Sequence, residues 1–211
     1  VTTISGEGRR QLLDDLIIKL IEEHTGKGTL SEQSLAELLP PQALLTTPLA
    51  FPGKVFADEA TDTLFIADTG HHRLVMTTLT GALRGTIGTG VAGWQDGQAE
   101  AAQFAAPQGM AWDSAKQTLY IADSGNHLLR QVDLRSLTVS TIAGTGTQSK
   151  LLFPHGGKAL EVALNSPWDL TLLEQQLYIA MAGSHQVWVM DLANQTIQAF
   201  MGTGAEYCVD G

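Results

Sequence analysis

The stretch LYIADSGNHL, residues 119–128, is the second of three related stretches in a chain of 211 residues. The first, LFIADTGHHRL, begins at Leu64, and the third, LYIAMAGSHQV, begins at Leu177. Their leading leucines are 55 and 58 residues apart, which is a nearly constant period. Such a period indicates a repeat architecture, in which each repeat is one supersecondary unit that packs on its neighbours.

In every repeat, a proline precedes this stretch and a glycine-rich run follows it. The fixed φ of proline suits the start of a short apolar segment. These prolines are Pro52, Pro107 and Pro167. A Gly-Thr-Gly run follows it, at residues 88–90, 144–146 and 202–204.

The second repeat contains four short extended segments, at residues 109–112, 119–122, 128–134 and 139–143. The second segment is apolar throughout, as in a strand buried on both faces, whereas the third mixes apolar and polar residues and predicts a more exposed strand. Four antiparallel strands per repeat predict a propeller blade, while a β-sandwich would not repeat its turn chemistry so regularly. We therefore predict an all-β fold, a β-propeller with three blades of an expected six. The blades are placed at about residues 51–90, 107–146 and 167–204.

The turn after the second segment carries the polar residues of the repeat. Glycine recurs there as Gly70, Gly125 and Gly183. Because a tight hairpin turn needs a residue with positive φ, we predict a positive φ at these glycines. The preceding aspartates, Asp68 and Asp123, are expected to accept backbone N–H bonds in the turn rather than to act as general bases.

A histidine occupies the same place in each turn, as His72, His127 and His185. Three histidines suggest a metal site. Equivalent positions of neighbouring blades, however, approach each other only near the propeller axis, and this turn lies away from it. We therefore predict a turn-stabilising or packing role for these residues and no bound metal.

Residues 121–128, IADSGNHL, resemble the NHL-repeat motif, with Asn126 at the position that gives the motif its first letter. The first repeat matches it with His71 in place of the asparagine. The third repeat departs from the motif at Met181, Ala182 and Ser184. The resemblance covers about residues 51–204 and implies an NHL-type propeller. It leaves the function open, since this family includes ubiquitin-ligase substrate modules, RNA binders, lyases and scaffolds.

Residues 7–24 predict an amphipathic helix, because their apolar residues recur at helical spacing and Gly26 follows as a stop. The segment VTTISGEG with this helix resembles the last strand and C-terminal helix of a thioredoxin-like domain, a domain that some proteins join to an NHL propeller. The resemblance implies that residues 1–28 end such a domain and that residues 29–50 form a linker. The alternative is a helical lead-in that packs on the propeller. No C-x-x-C motif occurs in the 211 residues, so this chain alone lacks the motif for thiol-disulfide exchange.

Composition limits the partners of the chain. It has 12 basic and 22 acidic side chains and a net charge of −10, which predicts no nucleic-acid partner. No apolar run approaches the roughly 18 residues of a membrane span, and the first residues lack the order of a signal peptide. The single cysteine, Cys208, fits a reducing compartment, and we predict a cytoplasmic protein. No cationic neighbour activates this thiol in the sequence, so it is expected to be inert.

Two long loops connect the blades, at residues 91–106 and 147–166. Binding often resides in such loops on one face of a rigid scaffold; the alternative is that they cover blade edges and pack between blades. Trp94 lies in the first loop and Trp168 follows a blade-opening proline, so both are candidates for contact with a ligand or partner. The other two tryptophans fall in strands and are expected in the core: Trp112 and Trp188.

These residues predict neither a catalytic group nor a cofactor. We predict a non-catalytic platform that binds a protein or a small molecule. Two alternatives stay open: the propeller part of a thioredoxin-like redox protein whose C-x-x-C lies outside this chain, and a metal-dependent lyase or hydrolase that works in the propeller channel.

Three blades do not close a ring, since propellers close with about four to eight. The start at Val1 and a fourth repeat unit that stops at Gly211 favour a longer native protein with about six blades. Two copies of the chain joined head to tail would also supply six, so self-association is a further expectation.

Overall fold

The computed structural model describes residues 10–29, 47–150 and 155–204. Within these ranges, no helix is both long and apolar enough to cross a membrane. Contacts divide the chain into two compact units, Val1–Thr46 and Thr47–Gly211.

The first unit contains helix α1, Arg10–Gly26. The helix predicted over residues 7–24 therefore forms, and its residues 7–9 lie outside the described part of the chain. Beyond the helix, Gly28 adopts a φ of +61°, the left-handed conformation that commonly closes a helix.

The described residues of the second unit form three antiparallel sheets. The first consists of β1 (Pro52–Asp58), β2 (Thr63–Asp68), β3 (Arg73–Thr77) and β4 (Leu83–Ile87). The second consists of β5 (Gly97–Gln98), β6 (Pro107–Asp113), β7 (Thr118–Asp123), β8 (Leu128–Asp133) and β9 (Thr138–Ala143). The third consists of β10 (Gly157–Lys158), β11 (Pro167–Leu173), β12 (Gln176–Met181), β13 (Gln186–Asp191) and β14 (Thr196–Met201).

Each sheet is a meander in which consecutive strands pair, in the order β1-β2-β3-β4 in the first sheet. The second and third sheets repeat this order from β6 to β9 and from β11 to β14. The predicted all-β class with four-stranded propeller blades is thereby confirmed. A proline opens the first strand of every meander, β1, β6 and β11, and we name the side on which these prolines lie the proline face.

The long loops pack against the sheets. In the first loop, the two residues of β5 pair with β9 and extend the edge of the second sheet, and β10 does the same for β14 in the third. Ala99, Ala102 and Phe104 are then buried in the core between the first two sheets. Ala159 and Leu164 take the matching places between the second and third. These segments therefore follow the alternative in which the loops cover edges and fill inter-blade grooves.

The third segment is more exposed than the second, as predicted. Residues 119–122 are all buried, whereas Gln131, Asp133 and Leu134 are only partly buried. The polar residue Arg130 is nevertheless buried, because it has partners inside the protein.

The prediction of positive φ at the turn glycines is wrong. The left-handed residue is the histidine instead, with φ of 52° at His72, 54° at His127 and 51° at His185. Glycine is required for space, because a Cβ at Gly125 would lie 2.7 Å from the carbonyl oxygen of Ala105. Backbone from the preceding loop passes directly over the turn.

The first and third sheets expose apolar side chains on their outward faces. Val55 of β1 and Phe200 and Met201 of β14 are all more than half exposed. A propeller blade normally covers such a face with its neighbour.

Candidate functional site

The turns after β2 and β7 bind the start of the next sheet. Thr69 Oγ1 donates a hydrogen bond of 2.7 Å to the carbonyl oxygen of Pro107. Ser124 Oγ donates in the same way to the carbonyl oxygen of Pro167. Each turn therefore reaches across an inter-sheet boundary, and the residues that mark the repeat also join its copies.

The turn histidines complete this connection. Nδ1 of His72 accepts the backbone N–H of Ala106 at 3.0 Å, and Nδ1 of His127 accepts that of Ser166 at 3.0 Å. Burial lowers the pKa of His127, which favours the neutral ring that an accepting nitrogen requires. Over the described ranges, no three His, Cys, Asp or Glu side chains are grouped to hold a metal ion.

The turn aspartates bind backbone that lies outside their own turns. Oδ1 of Asp68 accepts the N–H of Ala50, and Oδ1 of Asp123 accepts the N–H of Ala105, both at 2.7 Å. Each carboxylate therefore holds the segment that leads into its own sheet. Both side chains are fully buried, which leaves neither carboxylate accessible to a substrate.

Arg130 gathers the first long loop onto the second sheet. Its guanidinium donates to Asp123 Oδ2 at 3.0 Å and to Asp96 Oδ1 at 2.7 Å. It also donates to the carbonyl oxygens of Gln103 and Gln95, at 2.9 and 3.0 Å. One buried guanidinium thus binds Gln95, Asp96 and Gln103 of the first long loop as well as the turn aspartate.

The Asp123 carboxyl titrates well above the usual range. Burial raises its pKa to about 6, although hydrogen bonds from Asn126 and the Ala105 N–H and the charge of Arg130 oppose the shift. The carboxyl is therefore ionised at neutral pH, but its desolvation outweighs the attraction of its partners.

This raised pKa predicts a pH dependence of stability. Below about pH 6 the folded chain takes up a proton at Asp123 before the unfolded chain does, because the unfolded carboxyl titrates near 3.8. The contribution of this site to the free energy of unfolding therefore increases as the pH falls from 6 towards 4, by up to about 1.4 kcal/mol per pH unit, and is lost as the pH rises through 6. Urea unfolding of the wild type and of Asp123→Asn at several pH values measures the difference, and parallel pH profiles would contradict the prediction.

The third sheet replaces this ion pair by apolar residues. Met181 pairs with Gln186 in the same register in which Asp123 pairs with Leu128, so Met181 stands where the aspartate is expected. Trp188 takes the place of the arginine and is buried, with its Nε1–H donated to Oε1 of Gln186 at 3.0 Å. The same fold position therefore accepts either a buried ion pair or a methionine with a tryptophan.

The proline face carries an ion pair between sheets that are not neighbours. Nζ of Lys54 in β1 lies 2.6 Å from Oδ2 of Asp169 in β11, and both side chains are partly exposed. Gly109 of the intervening sheet lies against the backbone of Asp169 and leaves no room for a side chain. At the same ends of β1 and β11, Phe51 is 79% exposed and Trp168 is 47% exposed.

The two predicted contact tryptophans lie in different surroundings. Trp94 is half exposed, but its indole covers Gly146, which has a φ of +76° and no space for a Cβ. Trp168 lies on the proline face, and no ring contact joins the two tryptophans within the described residues. Trp188 is buried and Trp112 is partly buried against the core. Cys208 lies outside the described residues.

Sequence reasoning missed the Lys54–Asp169 pair and the role of Arg130. Alignment of the repeats on their prolines places lysine, glycine and aspartate at the same position, which was a usable signal for the pair. Arg130 carried no such signal, because the matching residue is Val75 in the first repeat and Trp188 in the third.

Comparison with known proteins gives several matches over nearly the whole chain. No protein-family model matches it. Protein SUPPRESSOR OF QUENCHING 1, chloroplastic, from Arabidopsis thaliana is 38% identical over 217 residues, which cover 100% of this chain and 20% of the relative. NHL repeat-containing protein 2 is 35% identical in Gallus gallus and 34% identical in Homo sapiens, in each case over 97% of this chain and 30% of the relative. The chain therefore spans less than a third of the length of these curated relatives.

Solved structures agree on the fold. A protein of unknown function from Bacteroides thetaiotaomicron superposes with a TM-score of 0.57 and 25% identity, over 69% of this chain and 34% of that one. A chain of a nidogen/laminin complex superposes with a TM-score of 0.53 and 17% identity, over 74% of this chain and 49% of that one, which concerns the fold alone. From its repeat, its sheets and its relatives, the chain belongs to the NHL-repeat β-propeller proteins.

Proposed function

We propose that this propeller segment is a non-catalytic binding platform and that its proline face contacts a protein or small-molecule partner. The observation that carries the proposal is the exposure of Phe51 and Trp168 on the face that also holds the Lys54–Asp169 pair. Large aromatic side chains beside charged groups are typical of the residues that dominate binding energy.

The surroundings of these side chains support the proposal. The backbone directly before Trp168 is held by two hydrogen bonds, from the Ser166 N–H to His127 and from Ser124 to the Pro167 carbonyl oxygen. An aromatic residue on such a rigid support loses little entropy on binding. The buried turn aspartates are occupied by backbone and basic partners, which favours a structural rather than a catalytic use of the repeat motif.

Trp168→Ala is expected to weaken partner binding by about 30-fold or more, as for a central interface tryptophan. Leu173→Ala is the matched control, because Leu173 is exposed at the opposite end of the same strand. Partners recovered by the complete protein should first be identified by mass spectrometry and then titrated against both variants. Equal affinity of Trp168→Ala and the wild type, or an equal loss with Leu173→Ala, would contradict this assignment.

A second candidate is the propeller part of a thioredoxin-like redox protein. The favouring observation is that α1 lies in a compact unit of its own, Val1–Thr46, as the resemblance of this segment implies. A C-x-x-C motif upstream of these residues, with thiol-disulfide exchange in the complete protein, would support this candidate.

A binding platform of this kind requires a closed propeller ring. We propose that further blades, from a longer chain or from a second copy, cover the outward faces of the first and third sheets to give about six blades in all. The cytoplasmic location stays a prediction.

A further inference from the structure

The groove between the second and third sheets is much larger than its counterpart between the first and second. Its volume is about 610 Å³, against about 230 Å³ for the counterpart. The larger value lies within the range of sites that hold small organic molecules. Because the repeats are homologous, the smaller groove shows which side chains can reduce the same space.

Two matched positions and one further side chain contribute to the difference. Trp112 fills the smaller groove, with its ring 5.3 Å from that of Phe65, whereas the residue in the same register of the third sheet is Leu172. Arg84 also covers the smaller groove by donating to Thr63 Oγ1 at 2.9 Å. Gln131 replaces the apolar Met76 on the wall of the larger groove. The larger groove is thus both emptier and more polar.

Tyr120 supplies a hydrogen-bonding group without a partner. It stands at the position of Phe65 in the first sheet and lines the larger groove. Only 3% of the residue is exposed, and its hydroxyl makes no hydrogen bond with any described residue. Burial and the nearby charge of Asp113 raise the pKa of this hydroxyl, which keeps it protonated as a donor. A hydroxyl that borders a groove and has no protein partner is available to a ligand or to water.

The other residues that line the groove indicate which further chemical groups a ligand would carry. One side is apolar and includes Leu160, Met190 and Leu192. Lys116, Lys158 and Glu161 also border the groove, so two cations and one carboxylate line it. Lys116 lies 3.6 Å from Asp113 and Lys158 lies 3.2 Å from Glu161, and these are partly exposed ion pairs that an anion can rearrange at small cost.

We propose that this groove binds a small organic carboxylate with an apolar tail. The Tyr120 hydroxyl donates to a carboxylate oxygen, the lysines favour the negative charge, and the tail packs on Leu160, Met190 and Leu192. This inference is independent of the proposed role of the proline face, because the two sites share no residue.

Isothermal titration of the full chain with straight-chain carboxylates from butyrate to octanoate, and with the matched primary amides, tests the proposal. We expect saturable one-to-one binding that tightens with tail length, and amides that bind about tenfold more weakly. Tyr120→Phe, which installs the residue of the first sheet, should weaken carboxylate binding about tenfold. Leu172→Trp, which installs the groove-filling tryptophan of the second sheet, should abolish it.

Tyr178→Phe is the matched control, because Tyr178 occupies the equivalent position in the third sheet and donates its hydroxyl to Gln176. It should bind as the wild type does. The proposal is overturned if no carboxylate binds saturably, if amides bind equally well, or if Tyr120→Phe binds like the wild type. Thermal melting shows whether Leu172→Trp is folded, and if it is not, Tyr120→Phe decides the question.

Discussion

Replacement of Arg130 by methionine is expected to lower the free energy of unfolding by about 3–5 kcal/mol, because it leaves a buried carboxylate without its cation. The side chains of Arg130 and Asp123 are both fully buried. The carbonyl oxygens of Gln95 and Gln103 also lose their donor. Urea unfolding at neutral pH measures the loss. Lys158→Met is the control, since its ion pair is exposed and its removal should leave the unfolding midpoint nearly unchanged.

The third sheet supplies the compensating change. A double variant, Asp123→Met with Arg130→Trp, introduces the apolar pair that this position holds in β12 and β13. It should recover at least about 2 kcal/mol relative to the sum of the single changes, because no unpaired charge stays buried. Recovery is expected to be incomplete, since the loop oxygens stay unpaired. In the third sheet, Gln186 accepts the Trp188 Nε1–H, and Leu128 occupies the matching position in the second sheet. Addition of Leu128→Gln to the double variant should therefore increase the recovery. Strict additivity of the single changes would show that the two side chains are not coupled.

Gly109→Ala is expected to destabilise the chain by about 3 kcal/mol, because overpacking against backbone cannot be relieved by a rotamer change. A Cβ at this position would lie 2.8 Å from the carbonyl oxygen of Trp168 and closer still to the Cα of Asp169. The change should separate β6 from β11 and weaken the ion pair between Lys54 and Asp169.

Gly85→Ala is the matched control for this change. Gly85 also lies in a strand, but its nearest neighbour to a new Cβ is the flexible Met76 Cε at 3.6 Å. This variant should be neutral or slightly more stable, since alanine restricts the unfolded chain. Thermal melting of the two variants side by side measures the contrast, and equal melting temperatures would refute the assigned role of Gly109.

The repeated features of the fold could be predicted because their causes are local. The apolar strand led by Leu119, the proline before it and the Gly-Thr-Gly run after it each depend on a few adjacent residues. The conformation of His127 could not be predicted in this way. Its left-handed φ accompanies a hydrogen bond to Ser166, which is 39 residues away and belongs to the next sheet.

Candidate sites were harder to predict than strands. Trp168 was found from the sequence because an aromatic residue beside a strand-opening proline is visible locally. Tyr120 was not, because its hydroxyl matters only once the groove around it has been compared with the one beside Phe65. The burial of Arg130 depends on a loop that folds back onto the second sheet.

The repeated four-stranded meander, with a proline at the start of each copy, can be derived from local sequence, because period and apolar pattern are properties of neighbouring residues. Which side chains meet between sheets depends on the tertiary structure. Lys54 and Asp169 are 115 residues apart and meet because Gly109 allows three sheets to pack closely at the proline face. Contacts of this kind depend on how sheets are stacked, and that arrangement results from the packing of the whole core.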